Sequence, residues 1–136
     1  MHAITGNYLG NPNIGLFCYA NDKYCLVPHG VSEKMIKQFS EVLKVPVYEI
    51  RAAGTALLGV FFAGNDDILF VPEIMFENEL KELEKHKIKY RIIKSELTAL
   101  GNNLLFKDNI CIASPDYDSE ALKLLHCTNM PIKQDN

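Results

Sequence analysis

Apolar residues along this chain come in short runs, broken by polar turns and closed by proline. Residues 53–72, AGTALLGVFFAGNDDILFVP, read as two apolar strands joined by a polar turn at Gly64-Asn65-Asp66-Asp67 and stopped at Pro72. Close analogues lie on either side: residues 13–28, NIGLFCYANDKYCLVP, and residues 98–115, TALGNNLLFKDNICIASP. Glycine opens each run and proline ends it. Gly15 to Gly59 is 44 residues and Gly59 to Gly101 is 42, a spacing in the range of repeat architectures. From glycine to proline the distances are 13, 13 and 14 residues, so the third copy is expected to carry one extra residue. Glycine permits close backbone approach, and proline has no N–H with which to extend a ladder. Asn21-Asp22, Gly64-Asn65-Asp66-Asp67 and Lys107-Asp108-Asn109 supply turn residues. Three β-hairpins are predicted.

After each proline the period changes. Met35, Ile36, Phe39, Val42 and Leu43 recur on one helix face behind Ser32 as N-cap. A second helix is predicted over 77–86, with Leu80 and Leu83 inward and Glu77 and Glu79 near its positive end; a third spans 119–126, capped by Ser119, with Leu122 and Leu125 inward. Strands over 46–50, 88–93 and around Met130-Pro131-Ile132 complete three β-β-α-β units, at about 6–50, 51–93 and 94–132. Such units bury their sheets only by stacking on one another. With no linker between them, residues 1–136 are expected to form a single repeat domain, with a frayed polar tail over 133–136.

Composition narrows the function classes. With 136 residues, 48% apolar content and a net charge of −3 from 14 basic and 17 acidic side chains, the chain can bury a core but lacks the basic surface that holds a protein on nucleic acid. A protein partner fits better. No apolar run nears the roughly 20 residues of a membrane span, and the first residues lack a signal-peptide layout. A cytoplasmic location and no membrane partner are expected.

The chemistry-bearing residues are sparse. Cys18, Cys25, Cys111 and Cys127 form no C-x-x-C pair, and reduced, buried thiols are expected, although Cys18 and Cys25 would face each other across a turn at Asn21-Asp22. His2, His29, His86 and His126 are scattered without ligand spacing, so no metal and no cofactor are expected. Lys87, Lys89 and Arg91 alternate with Ile88, Tyr90 and Ile92, which puts a basic stripe on one strand face. A solvated face guarding a sheet edge is the preferred reading, and contact with RNA phosphates is the alternative.

Three sets of residues stand in one register: Asn13-Ile14-Gly15 with Tyr24-Cys25-Leu26-Val27-Pro28; Ala53-Gly54 through Gly59, Gly64-Asn65 and Leu69–Pro72; and Leu97-Thr98-Ala99-Leu100-Gly101-Asn102 with Ser114-Pro115. On these residues the chain resembles the translation initiation factor 6 family, the ribosome anti-association factors of archaea and eukaryotes, from about residue 6 to residue 125. The LTALGN segment is the most specific. What the resemblance implies is an α/β fold, a pentein-type propeller in which five β-β-α-β units surround a pseudo-fivefold axis. Three units would leave two open ends, to be covered by further units of a longer product, by a second chain completing the ring or by self-association.

The resemblance further implies binding to the joining face of the large ribosomal subunit, against a ribosomal protein and rRNA near the sarcin–ricin loop. The small subunit is thereby blocked sterically, and a role in large-subunit maturation goes with it. No catalysis is implied. The contact carries over onto Asn102, with Gly101 holding the backbone, and less directly onto Asn65, whose residue type also serves turns by bonding its own backbone. Val60 and Asp66 stand where some members have basic side chains, which speaks against phosphate contact there. Two alternatives come from other classes. Pentein folds also host guanidine-modifying enzymes with a cysteine nucleophile, but no Cys/His pair falls in matching positions; a non-ribosomal interaction protein could keep the fold alone.

Overall fold

Three antiparallel strand pairs form, but much of each predicted first arm is a helical turn. The computed structural model describes residues 14–107, 110–125 and 132–134. A 3-10 turn at Ile14–Leu16 precedes β1 (Tyr19–Ala20), β2 (Cys25–Val27), α1 (Glu33–Leu43) and β3 (Val47–Glu49). Helix α2 (Leu58–Phe61) then precedes β4 (Ala63–Gly64), β5 (Leu69–Pro72), α3 (Glu77–Lys85) and β6 (Tyr90–Ile93). Helix α4 (Leu100–Asn103) precedes β7 (Leu104–Lys107), β8 (Ile110–Ala113), α5 (Ser119–Leu125) and β9 (Ile132–Gln134). Each glycine expected to start a strand therefore lies in a helical turn instead.

Three three-stranded sheets result, ordered β1-β2-β3, β4-β5-β6 and β7-β8-β9. In each, the first pair is antiparallel and the second parallel, with α1, α3 or α5 as the crossover. The helices start where the sequence caps them. Ser32 Oγ accepts from Met35 N at 3.2 Å, and Asp118 Oδ1 accepts from Ala121 N at 2.8 Å, so Asp118 rather than Ser119 caps α5. Lys44, with φ 57°, and Lys87, with φ 60°, turn the chain out of α1 and α3 in left-handed conformations. Lys87 thus belongs to a helix end, and the strand predicted over 88–93 begins only at Tyr90.

Registers differ from expectation in two places. Ala20 pairs with Cys25 and Tyr19 with Leu26, and Asn21 N donates to Tyr24 O at 3.0 Å, so the loop is Asp22-Lys23. The pairing therefore does not set Cys18 opposite Cys25, and Cys18, Cys25 and Cys111 are all free thiols. In the third sheet, Leu105 pairs with Ile112 as Ala63 pairs with Phe70. Ser114 thus takes the place of Pro72, Pro115 lies one step beyond, and the hairpin carries no extra residue. Residues Lys133 and Gln134 of the tail pair with Ile112 and Ala113 rather than fraying. His2, Asp108, Asn109, His126, Cys127, Met130 and Pro131 lie outside the described residues.

The core sits at the seams between sheets. Cys25 and Val27 face α1, where they cluster with Val31, Phe39 and Val45. Leu26, on the opposite face, joins Phe62, Leu69, Val71 and Leu83 of the second unit. One unit on, Phe70 joins Leu104, Cys111, Ala113 and Ala121 of the third. Strand alternation thus assigns every second residue to the unit's own helix and the others to the next unit. At the first seam His86, at the end of α3, stacks on Tyr48 of β3 with ring centroids 4.0 Å apart.

Candidate functional site

The seams meet along a stack of glycines. A Cβ built on Gly59 would lie 1.9 Å from the Gly15 carbonyl oxygen and 3.0 Å from that of Cys18. On Gly101 it would lie 2.0 Å from the Gly59 oxygen and 2.9 Å from that of Phe62. Each unit therefore repeats the contact of the one before it, and only a residue without a side chain allows it. The helical turns create this approach, which an extended strand would not.

A concave groove of about 540 Å³ runs along the stack, lined by the same positions of successive units, among them Gly15, Gly59 and Gly101 with Asn21, Asn65 and Asp66. The turns at its rim are laced together. Asn21 Nδ2 donates to Asn65 O at 3.3 Å, Asp22 N donates to Asp66 Oδ1 at 2.9 Å, and Lys23 Nζ donates to Asp67 Oδ1 at 3.2 Å. Each partner stands 44 residues from the other, the glycine spacing itself. Asn65 Oδ1 accepts from Asp67 N at 2.9 Å and Ile68 N at 3.0 Å, so its amide is committed to shaping the turn. Asp66 is likewise held within the protein.

Asn102 is placed differently. Its backbone N–H donates to Ala99 O at 3.0 Å, while the side-chain bond to that carbonyl comes from Asn103 Nδ2 at 2.8 Å. Asn103 thus takes the local capping role. The Asn102 side chain is exposed and makes no hydrogen bond among the described residues. With Gly101, Leu105 and Ile112 it lines a second cavity, of about 450 Å³, on the outward side of the third sheet. Gly101 alone among the predicted residues borders both cavities.

Lys87, Lys89 and Arg91 are all exposed, whereas Ile88 is buried in the first seam and Tyr90 and Ile92 pack against it. Lys87 and Lys89 border a groove of about 350 Å³ with Lys23, Tyr48 and His86, and also with Asp66 and Asp67. Arg91 does not reach it, and the basic residues are not gathered with Asn102.

Sequence reasoning assigned Glu79 only to the helix dipole. Its carboxylate, 3% exposed, accepts from Ala53 N at 2.9 Å, Gly54 N at 2.7 Å and Phe76 N at 2.8 Å. Ala53 and Gly54 both have positive φ, 52° and 74°, in the tight turn that leads from the first unit into the second. Successive left-handed residues present their N–H groups to one anion. The available signal was the Ala-Gly pair itself, followed by an acidic residue at the third helical position.

Burial pushes the thiols up, Cys18 and Cys111 to about 11 and Cys25 to about 12, so all three are protonated at neutral pH. His29 pairs with Glu49 at 3.3 Å, and His86 with Glu82 at 3.6 Å. Among the described residues there is no group of three His, Cys, Asp or Glu that could hold a metal ion, and no helix long and apolar enough to cross a membrane.

The profile of the eIF-6 family matches residues 3–128. A protein named Translation initiation factor 6 from Staphylothermus marinus is 36% identical over 126 residues, which cover 90% of this chain and 56% of that one. Its namesake from Hyperthermus butylicus is 43% identical over 99 residues, covering 71% and 44%. The one from Thermococcus gammatolerans is 30% identical over 141 residues, covering 98% and 62%. The chain therefore spans about half the length of these relatives. Among solved structures, an agmatine deiminase from C. jejuni superimposes with a TM-score of 0.65 at 12% identity, over 88% of this chain and 49% of that one. DDAH from Pseudomonas aeruginosa gives 0.61 at 12%, over 90% and 48%. At that identity the two enzymes share the mixed α/β fold and nothing finer.

Proposed function

Because the chain belongs to the eIF-6 family, we propose that it is a ribosome anti-association factor, which binds the joining face of the large ribosomal subunit and sterically excludes the small one. A part in large-subunit maturation and a cytoplasmic location belong to the same proposal. The three sheets are an arc of a five-unit pentein ring, forming one repeat domain, and the contact is made near the sarcin–ricin loop to a ribosomal protein and rRNA.

The observation that carries this proposal is Asn102, whose exposed amide is left unengaged because Asn103 caps Ala99 O in its stead. An amide so placed offers both donor and acceptor to a partner. Gly101 fixes the backbone beneath it through the glycine stack. Asn65 has a lesser part, since its side chain serves its own turn. Lys87, Lys89 and Arg91 are solvated, with rRNA phosphate contact as their secondary role.

Steric exclusion requires no catalysis, and the protein acts without a cofactor. A guanidine-modifying activity would need a thiolate with a histidine in reach. In the groove, Cys18 is instead held as a neutral thiol, and His29 and His86 pair with carboxylates outside it. The proposal is tested by mixing purified ribosomal subunits with the chain and resolving them on a sucrose gradient. It predicts fewer joined particles as the chain is added. Unchanged joining by a folded sample would overturn it in favour of a non-ribosomal interaction protein.

A further inference from the structure

The three units enter α1, α3 and α5 by the same four-residue turn, and the middle copy departs from the pattern. The turns are His29-Gly30-Val31-Ser32, Glu73-Ile74-Met75-Phe76 and Pro115-Asp116-Tyr117-Asp118, set 44 and 42 residues apart as the glycines are. The third position is buried in every copy, as Val31, Met75 and Tyr117, and each joins a core cluster. The second and fourth positions face outward. In the first turn they are Gly30 and Ser32, and in the third Asp116 and Asp118. In the middle turn they are Ile74, 43% exposed, and Phe76, 54% exposed.

The repeat calls for neither side chain. The second unit has another unit of this chain packed on each side, so the exposure does not come from an end of the arc. The fourth position is the N-cap, where Ser32 Oγ accepts from Met35 N and Asp118 Oδ1 accepts from Ala121 N. Phe76 has no acceptor with which to make that bond. Its ring lies over the turn at Ala53-Gly54, since a Cβ built on Gly54 would stand 3.0 Å from Phe76 Cε2. The ring is thus an apolar anchor already held in place, which lowers the ordering cost of any contact made to it.

The surroundings are acidic. Glu73 precedes Ile74 and Glu77 follows Phe76, both exposed. Glu73 also borders a cavity of about 500 Å³ with Glu96, Asp116, Asp118 and Lys94, lined from both the second and the third unit. Four carboxylates stand there against one lysine. We propose that Ile74, Phe76 and this cavity form a docking site for a segment of a partner protein that combines a large apolar side chain with Lys or Arg. The apolar side chain packs on Ile74 and Phe76, and the basic one enters the cavity. Carboxylates repel the phosphates of a nucleic acid, and a second copy of this chain carries a net charge of −3, so a basic protein segment is the occupant whose charge matches. The site does not depend on ribosome binding.

Selection of short random peptides displayed on phage, on the immobilised chain and on its Ile74→Ser/Phe76→Ser double variant, tests this. Wild type is expected to enrich peptides that carry a large apolar residue and a net positive charge. A synthetic copy of an enriched peptide should bind the double variant at least about tenfold more weakly, and should lose a similar factor on Glu73→Gln/Asp116→Asn, which leaves Asp118 its capping bond. Because Ser at position 76 can cap α3 as Ser32 caps α1, the double variant should melt no lower than wild type. A lower melting temperature would make the two side chains part of the fold and overturn the proposal. No enrichment beyond the double variant, or enrichment of neutral or acidic peptides, would overturn it as well. So would self-association in sedimentation velocity that the double variant abolishes, which would assign the patch to a second copy.

Discussion

The carbonyl oxygen of Gly59 lies 2.0 Å from the point where Gly101 would carry a Cβ. Both partners in that contact are backbone in short helical turns, so neither can rotate away. Gly101→Ala is expected to cost about 3 kcal/mol, the upper end of overpacking penalties, and Gly59→Ala about as much. Urea unfolding of the two variants checks this, and a loss below about 0.5 kcal/mol, the scale of surface changes, would contradict the close seam.

Glu79 holds the turn between the first and second units through three backbone N–H groups. Replacing it by Ala removes the charged acceptor of all three N–H groups at once, and the expected loss is about 3 kcal/mol. Glu79→Gln should fall between wild type and Glu79→Ala, since the amide keeps one acceptor oxygen. Thermal unfolding of both variants gives the ranking.

Asn65 and Asn102 should separate stability from binding. Asn65→Ala removes the acceptor for Asp67 N and Ile68 N and is expected to cost about 1 kcal/mol of stability. Asn102→Ala removes no hydrogen bond among the described residues and should leave the unfolding midpoint unchanged. Equal destabilisation of the two variants would mean that Asn102 serves the fold.

Alkaline pH should weaken the protein through its buried thiols. Their folded-state values are raised, to about 11 for Cys18 and Cys111 and about 12 for Cys25, from the ordinary 9.0. The folded state therefore keeps its protons where the unfolded chain has lost them. Stability from this source is fully present below about pH 9 and falls as pH rises through 11 to 12. Urea midpoints at pH 8 and pH 10, with Cys25→Ala as control, measure the effect, and a smaller drop in the control is the expected result.

The repeat was legible because its marks are local. The Asn/Asp turns and the helix period each sit within a few residues, so the succession of hairpin, helix and returning strand could be read directly. The helical turns at Leu58–Phe61 and Leu100–Asn103 could not, because the contacts they make with the carbonyls of Gly15 and Gly59 lie 44 and 42 residues away in the sequence. Pro115 misled for a similar reason: pairing of Leu105 with Ile112 fixes the register, and the proline only follows it. At the candidate site, Asn102 was named from the LTALGN resemblance, but that Asn103 frees it by capping Ala99 O depends on side-chain geometry. Glu79 was visible only as a charge near a helix start, since its partners lie 25 and 26 residues upstream.

Co-sedimentation of the chain with purified large ribosomal subunits, wild type beside Asn102→Ala at fixed salt, bears most directly on the proposed function. Wild type should pellet with the subunits, and Asn102→Ala should bind about tenfold more weakly, the scale of losing one well-placed polar contact, with its unfolding midpoint unchanged. A folded wild type that stays in the supernatant, or an Asn102→Ala variant that binds as wild type does, would contradict the account.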